Sequence, residues 1–180
     1  MEIKNYDPNC AMCNFLEGNT IDIVYEGIYN KVAINPRISP HLFRTAVIPM
    51  RHMGADGKYG LELLNKRERE EYRSLRLKTT DAIIGSADGT GNRLDMRDGQ
   101  PDVEYIERPC KHPTGDLFPR YKEPARLGGY VFPRCVDAEI EANSFSVNSA
   151  PVILASFADK SLIMPEDLRR EIVSILKENF

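Results

Sequence analysis

Long apolar runs are what this 180-residue chain has least of: the longest, around Pro151 to Phe157, is far too short to cross a bilayer. An excess of one charge is also missing. Acids and bases are mixed along the chain to a formal charge of -3 and a pI near 5.7, which leaves no continuous positive field for a polyphosphate backbone, so no extended nucleic acid and no membrane are expected as partners. A local basic pocket for a mononucleotide or sugar phosphate is still allowed, because Arg51, Arg93, Arg97, Arg120 and Arg134 lie near the segments discussed below. The amino terminus, M-E-I-K-N-Y-D-P-N-C, shows no basic segment leading into an apolar stretch of signal-peptide length. Cytoplasmic thiols are therefore the expectation for the four cysteines, in place of two disulfides.

Histidine is scarce too, with only His41, His52 and His112 present. Two of them fall where ligands can converge. C-A-M-C places Cys10 and Cys13 close enough to clasp one ion from a single turn, and two thiolates with two neutral imidazoles complete a tetrahedral shell of no net charge around zinc. Cys10, Cys13, His52 and His112 are thus the candidate metal ligands, with one structural Zn2+ per chain. The same C-x-x-C also fits a redox pair or two unlinked buried cysteines; the redox reading expects the pair at the start of a helix that follows a strand, whereas this pair precedes the first clear strand. Cys110 and Cys135 are too far apart for the same clasp and read as core residues. A chain of this length buries roughly 70% of the surface its unfolded form would expose, so a metal is not needed to rescue a small core; it would fix particular loops or serve chemistry.

Alternation predicts short strands at Ile23 to Tyr25 and Val32 to Ile34, broken by Glu26-Gly27, and a third at Thr45 to Ile48 that places His52 just past a strand end. Asn65 and Glu68 have capping-box spacing, and Tyr72, Leu75, Thr79 and Ala82 or Ile83 recur at helical intervals, which predicts a helix from about Lys66 to Ile84. Gly85 to Gly99 reads as a loop. In it, Asp88-Gly89-Thr90-Gly91 lacks the ending and the preceding strand of a phosphate-binding loop. Strand character returns at Val103 to Glu107, Tyr130 to Phe132 and Phe145 to Val147. Pro165 suits the first turn of a terminal helix whose apolar stripe is Leu168, Ile172 and Ile175 or Leu176. The order of elements predicts one α+β domain over residues 1–180, with a mainly antiparallel sheet, a long central helix and a C-terminal helix.

Three stretches, C-A-M-C, N-P-R-I-S-P-H-L-F-R-T-A-V-I-P-M-R-H and H-P-T-G-D-L-F-P-R-Y, resemble the histidine-triad (HIT-like) superfamily, in particular its branch related to galactose-1-phosphate uridylyltransferase. They span Cys10 to Tyr121. The resemblance implies a HIT-like fold stapled by zinc on Cys10, Cys13, His52 and His112. It also implies a small phosphorylated molecule or nucleotide as partner, a ribose contact near Asn35, and a homodimer as an allowed assembly.

The family's catalytic motif, H-x-H-x-H or H-P-H-G-Q, is not continued here, since His112-Pro113-Thr114-Gly115-Asp116 puts Thr114 where the attacking histidine stands and Asp116 where the phosphate-contacting partner stands. The family's upstream Gly-His is replaced by Phe43-Arg44. A histidine attacks phosphorus with a neutral nitrogen and later leaves, whereas a threonine hydroxyl needs a base and forms a far less labile ester. The expectation is therefore a divergent hydrolase or transferase of a nucleotide or nucleotide sugar, in which Asp116 activates water, Thr114 orients phosphate and Arg120 neutralises it. Two alternatives stand beside it: a non-catalytic nucleotide-binding or assembly module, and other pathway-specific chemistry using Cys110, Glu107 or Asp116. The bland reading of Asp116 and Arg120 is a surface ion pair.

Overall fold

In a computed structural model, residues 5–18, 21–36, 44–52, 64–86, 102–108, 112, 114–120, 125–127, 130–132 and 164–180 are described, with backbone alone for 102, 104, 106–108, 118–120, 125–127 and 130–132. The strand expected at Phe145 to Val147 lies outside them, as do His41, Cys110, Cys135, Arg93, Arg97, Arg134 and the segment 88–91.

The main sheet has five strands: β1 (Ile23–Glu26), β2 (Asn30–Ile34), β3 (Thr45–Pro49), β4 (Asp102–Arg108) and β5 (Thr114–Arg120). They lie in the order β1-β2-β3-β5-β4 and all pair antiparallel. A separate hairpin joins β6 (Ala125–Leu127) to β7 (Tyr130–Phe132). Three helices are described, α1 (Ala11–Gly18), α2 (Lys66–Ser86) and α3 (Glu166–Glu178). The architecture is α+β as expected, with no helix among the described residues long and apolar enough to cross a membrane.

The pleat sends alternate residues to opposite faces of the sheet, and the two faces are used differently. Val32, Ile34, Val47 and Leu117 point to one side, where α2 supplies Tyr72, Leu75, Ala82 and Ile83 and α3 supplies Leu168, Ile172, Val173, Ile175 and Leu176. Ile23, Ala33, Ala46 and Ile48 point to the other, where α1 buries Cys13 and Leu16. Alternation sends Ile23 and Val24 to opposite cores, and a bulge between Ile23 and Tyr25 shifts the register so that Tyr25 pairs with Val32 and stacks on Phe180 at the helix-pair side.

The capping box at the start of α2 forms in full. The Glu68 N–H donates to Asn65 Oδ1 at 3.0 Å and the Asn65 N–H to Glu68 Oε2 at 2.9 Å. Glu68 also pairs with Arg51, which takes that arginine out of the set available to a phosphate. Helix α2 runs through Ser86, two residues past the expected end at Ile84, so Gly85 and Ser86 are helical. Pro165 caps α3 from just outside its first turn, in extended backbone (ψ 142°), and its carbonyl accepts the Arg169 N–H at 3.0 Å.

Three elements are absent from the sequence expectation: the short strand β6, α1 and β5. The C-A-M-C turn opens an eight-residue helix, preceded by a turn in which Asp7 Oδ1 accepts the Asn9 N–H at 2.9 Å. The Pro- and Gly-rich run after His112 becomes β5, an inner strand between β3 and β4. Gly115 is the reason this strand can sit there: a Cβ on it would overlap the Tyr72 hydroxyl and come within 2.5 Å of Tyr105 Cε2. The two tyrosine hydroxyls lie 3.2 Å apart beneath the glycine, which ties α2 and β4 under β5.

Candidate functional site: a Cys2His2 cluster beside a sheet-face cavity

Four side chains remote in sequence meet at the N-terminus of α1. Cys10 stands immediately before that helix and Cys13 in its first turn, His52 lies three residues past β3, and His112 two residues before β5; their ligand atoms all lie within 4.8 Å of one another. Cys13 Sγ is 3.4 Å from Nδ1 of both His52 and His112, and Cys10 Sγ is 3.8 Å from His112 Nδ1. Tetrahedral zinc with Zn–S near 2.3 Å and Zn–N near 2.0 Å requires S-to-N edges of about 3.6 Å, and the cluster has that size. The donor set fits a metal ion in chemistry as well as in spacing.

The orientation of each imidazole is fixed from behind. His112 Nε2 lies 2.7 Å from the Pro49 carbonyl and must carry the proton to donate there, which leaves the Nδ1 lone pair facing the thiols. His52 Nε2 is 3.6 Å from the Asp7 carboxylate, an outer partner of the kind that orients metal-binding histidines. Burial holds His112 below the ordinary imidazole value of 6.5, so the ring is neutral, as a ligand must be. Burial also pushes the Cys13 thiol up to about 11, against a lowering contribution from the Asp7 backbone and with Cys10 adding to the rise. A bound cation would reverse that balance by stabilising the thiolate.

Beside the cluster, the face of the sheet not covered by α2 and α3 carries a cavity of about 270 Å³, lined by Met12 and Phe15 of α1, Ala33, Ala46 and Ile48 of the sheet, and Asn35 and Asp116 at its polar end. Strand register explains this set. Ala33 pairs with Ala46 and Ala46 with Asp116, so the three form one row across the sheet. The small alanines leave the space and α1 roofs it.

Of the residues expected in a site, Asn35 and Asp116 share this cavity, and Thr114 stands two residues from Asp116 on β5, also buried. Arg120 closes β5, paired in register with Asp102; its side chain lies outside the described residues. Asp116 makes an ion pair with Arg44, whose Nη1 is 3.7 Å from Asp116 Oδ2. A role for Arg44 is absent from the sequence reading, as are the wall residues Met12 and Phe15. The latter have a signal in the sequence: Met12 and Phe15, like Cys13 and Leu16, are three apart, the spacing of one helical face.

No protein-family model and no curated protein matches the chain. Its fold is similar to those of several solved structures. One is a uridylyltransferase, 17% identical with a TM-score of 0.55 over 94% of this chain and 45% of that one. A second is a uridylyltransferase mutant, 16% identical with a TM-score of 0.57 over 95% of this chain and 48% of that one. The third is a Hit-like protein involved in cell-cycle regulation from Bartonella henselae, solved with an unknown ligand; it is 13% identical, with a TM-score of 0.52 over 98% of this chain and all of that one. The chain spans about half the length of the uridylyltransferases it matches. At these identities the likeness is one of fold, shared with the two uridylyltransferase structures and the Hit-like protein.

Proposed function

We propose that this protein is a divergent HIT-like enzyme that hydrolyses or transfers a phosphate ester of a nucleotide or nucleotide sugar, without a nucleophilic histidine. The observation that carries the proposal is the cavity on the sheet face, apolar along Met12, Phe15, Ala46 and Ile48 and with Asn35 and Asp116 as polar groups in its lining. An apolar slot with a few convergent polar groups suits a flat ring bearing hydroxyls. The ligand's sugar lies at Asn35, and Asp116 orders and deprotonates an attacking water. Thr114 orients the phosphate and Arg120 offsets its charge.

The Cys10, Cys13, His52, His112 cluster holds one Zn2+ in this reading. Four protein ligands leave no open coordination position, so the ion fixes α1 against the sheet and takes no substrate. Both histidines are engaged there, which is why the chemistry centres on Asp116.

The second reading, a non-catalytic nucleotide-binding module, is favoured by one observation: the Arg44–Asp116 pair gives the carboxylate a charge partner of its own, as a purely structural residue would have. Steady-state turnover over nucleoside diphosphates and nucleotide sugars, beginning with uridylyl compounds, separates the two. Asp116→Asn and Arg120→Met are each expected to lower kcat and kcat/KM together by at least about tenfold, which is 1.4 kcal/mol of transition-state stabilisation. Tight binding with no turnover by the wild type selects the binding module instead.

A further inference from the structure

Helix α1 is joined to the rest of the molecule differently from the other two helices. Among the described residues, the hydrogen bonds and ion pairs of residues 5–18 either stay inside that segment, as in Tyr6 to Asn14, Asn14 to Pro8 and the Cys10 N–H to the Asp7 carbonyl, or end on His52 or His112. By contrast, Glu71 of α2 accepts the Ile28 and Tyr29 N–H groups at 2.7 Å each, and Arg169 of α3 donates to both oxygens of Asp22. Only Cys13 and Leu16 of α1 are buried, and its eight residues make a helix far from stable alone in water. The same helix builds the cavity. Ala11, Met12 and Phe15 line it, interleaved in sequence with Cys10 and Cys13, so α1 cannot leave the cluster without taking the roof off the cavity.

We infer that α1 is a metal-latched roof: occupancy of the Cys10, Cys13, His52 and His112 cluster sets whether Met12 and Phe15 cover the cavity. Without an ion, what ties the segment to the sheet at the cluster is contact between thiol and imidazole, and a thiol is a weak donor and a weak acceptor. With one, two thiolates of the α1 segment and two imidazoles of the body of the fold hold the same ion, and local opening of the helix requires breaking that coordination. A ligand in the cavity packs against the same roof. Metal and cavity ligand therefore bind as coupled partners, each raising the affinity of the chain for the other by the same factor. This coupling rests on the reading of the cavity as a nucleotide site, whereas the latching of α1 does not.

The test is hydrogen exchange read by mass spectrometry on the full chain loaded with zinc, stripped by a chelator and then resupplied with zinc, followed by isothermal titration of the loaded and stripped forms with uridine 5′-monophosphate and adenosine 5′-monophosphate. Stripping is expected to speed amide exchange in α1 by about tenfold or more and to leave α2 and α3 within about twofold, and zinc should restore the protection. At least one monophosphate should bind the stripped form about tenfold or more weaker, and at saturation it should raise zinc affinity, measured by chelator competition, by that same factor. A chain that takes up no zinc, an α1 equally protected with and without it, or protection lost equally from α2 and α3 would each overturn the latch. Zinc-dependent protection confined to α1 with no binding of either monophosphate upholds the latch and sinks the nucleotide reading. Monophosphate binding unchanged by stripping overturns the roof role of α1 and leaves the nucleotide reading standing.

Discussion

The ring of His112 spans two jobs: Nε2 donates to the Pro49 carbonyl at 2.7 Å, and Nδ1 lies 3.4 Å from Cys13 Sγ. One imidazole thus connects the end of β3 to α1 and fixes where β5 begins, two residues later.

Removing that ring should be costly when metal is bound. Purified protein is expected to carry about one zinc per chain, and His112→Ala to lower stability by more than about 2 kcal/mol, because a metal centre loses a ligand and the fold loses a crosslink. His41→Ala is the comparison, with a shift within about 0.5 kcal/mol expected of a residue with no such role. Metal analysis and denaturant midpoints decide it; no zinc after growth in zinc-replete medium, or equal midpoints for the two variants, would refute the assignment.

Gly115→Ala should destabilise the protein by about 1–3 kcal/mol through overpacking, since the new methyl overlaps the Tyr72 hydroxyl and approaches Tyr105. Tyr72→Phe removes the hydroxyl that the methyl strikes first. The double variant should therefore lose less than the sum of the two single losses, and strict additivity in urea melts would show that the glycine is needed for another reason.

Arg169 Nη1 donates to both oxygens of Asp22, whose side chain is fully buried. Arg169→Met takes a charge partner from this buried carboxylate and is expected to cost about 3–5 kcal/mol. Adding Asp22→Asn should restore a large part of it. A double variant no more stable than Arg169→Met would mean that the pair matters for its shape and not for its charge.

No nucleotide should become attached to histidine during turnover. His52 and His112 both face the cysteine cluster, and the motif resemblance leads us to expect Thr114 where an attacking imidazole would stand. Intact mass and peptide mapping after incubation with a nucleotide sugar should find no acid-labile adduct. A mapped nucleotidyl-histidine would overturn the Asp116 mechanism outright.

Local rules carried the reading of α2, α3 and the first three strands a long way. The Asn65–Glu68 box, the Tyr72, Leu75, Thr79 spacing and the alternation around Val32 are short-range signals, and each side chain does in the fold what its spacing implies. The cysteine pair and the two histidines were also legible as a set, because few residue types can ligate a metal and the chain holds so few of them. Nothing local marks β5. Gly115, Asp116 and Pro119 all oppose a strand by propensity, and what overrides them is tertiary: Tyr72 and Tyr105 need the glycine's empty face, and Arg44 compensates the aspartate.

The chemical inventory of the site, then, was determined by sequence alone: two thiols, two imidazoles, and an aspartate where a phosphate-contacting group is expected. Tertiary structure decided which charges meet. Among the described side chains Asp116 forms an ion pair with Arg44, 72 positions away by number. The physical reason is strand pairing. Register between β3 and β5 sets Ala46 against Asp116 and so brings Arg44 diagonal to it, and register is a property of two segments together that neither one carries by itself.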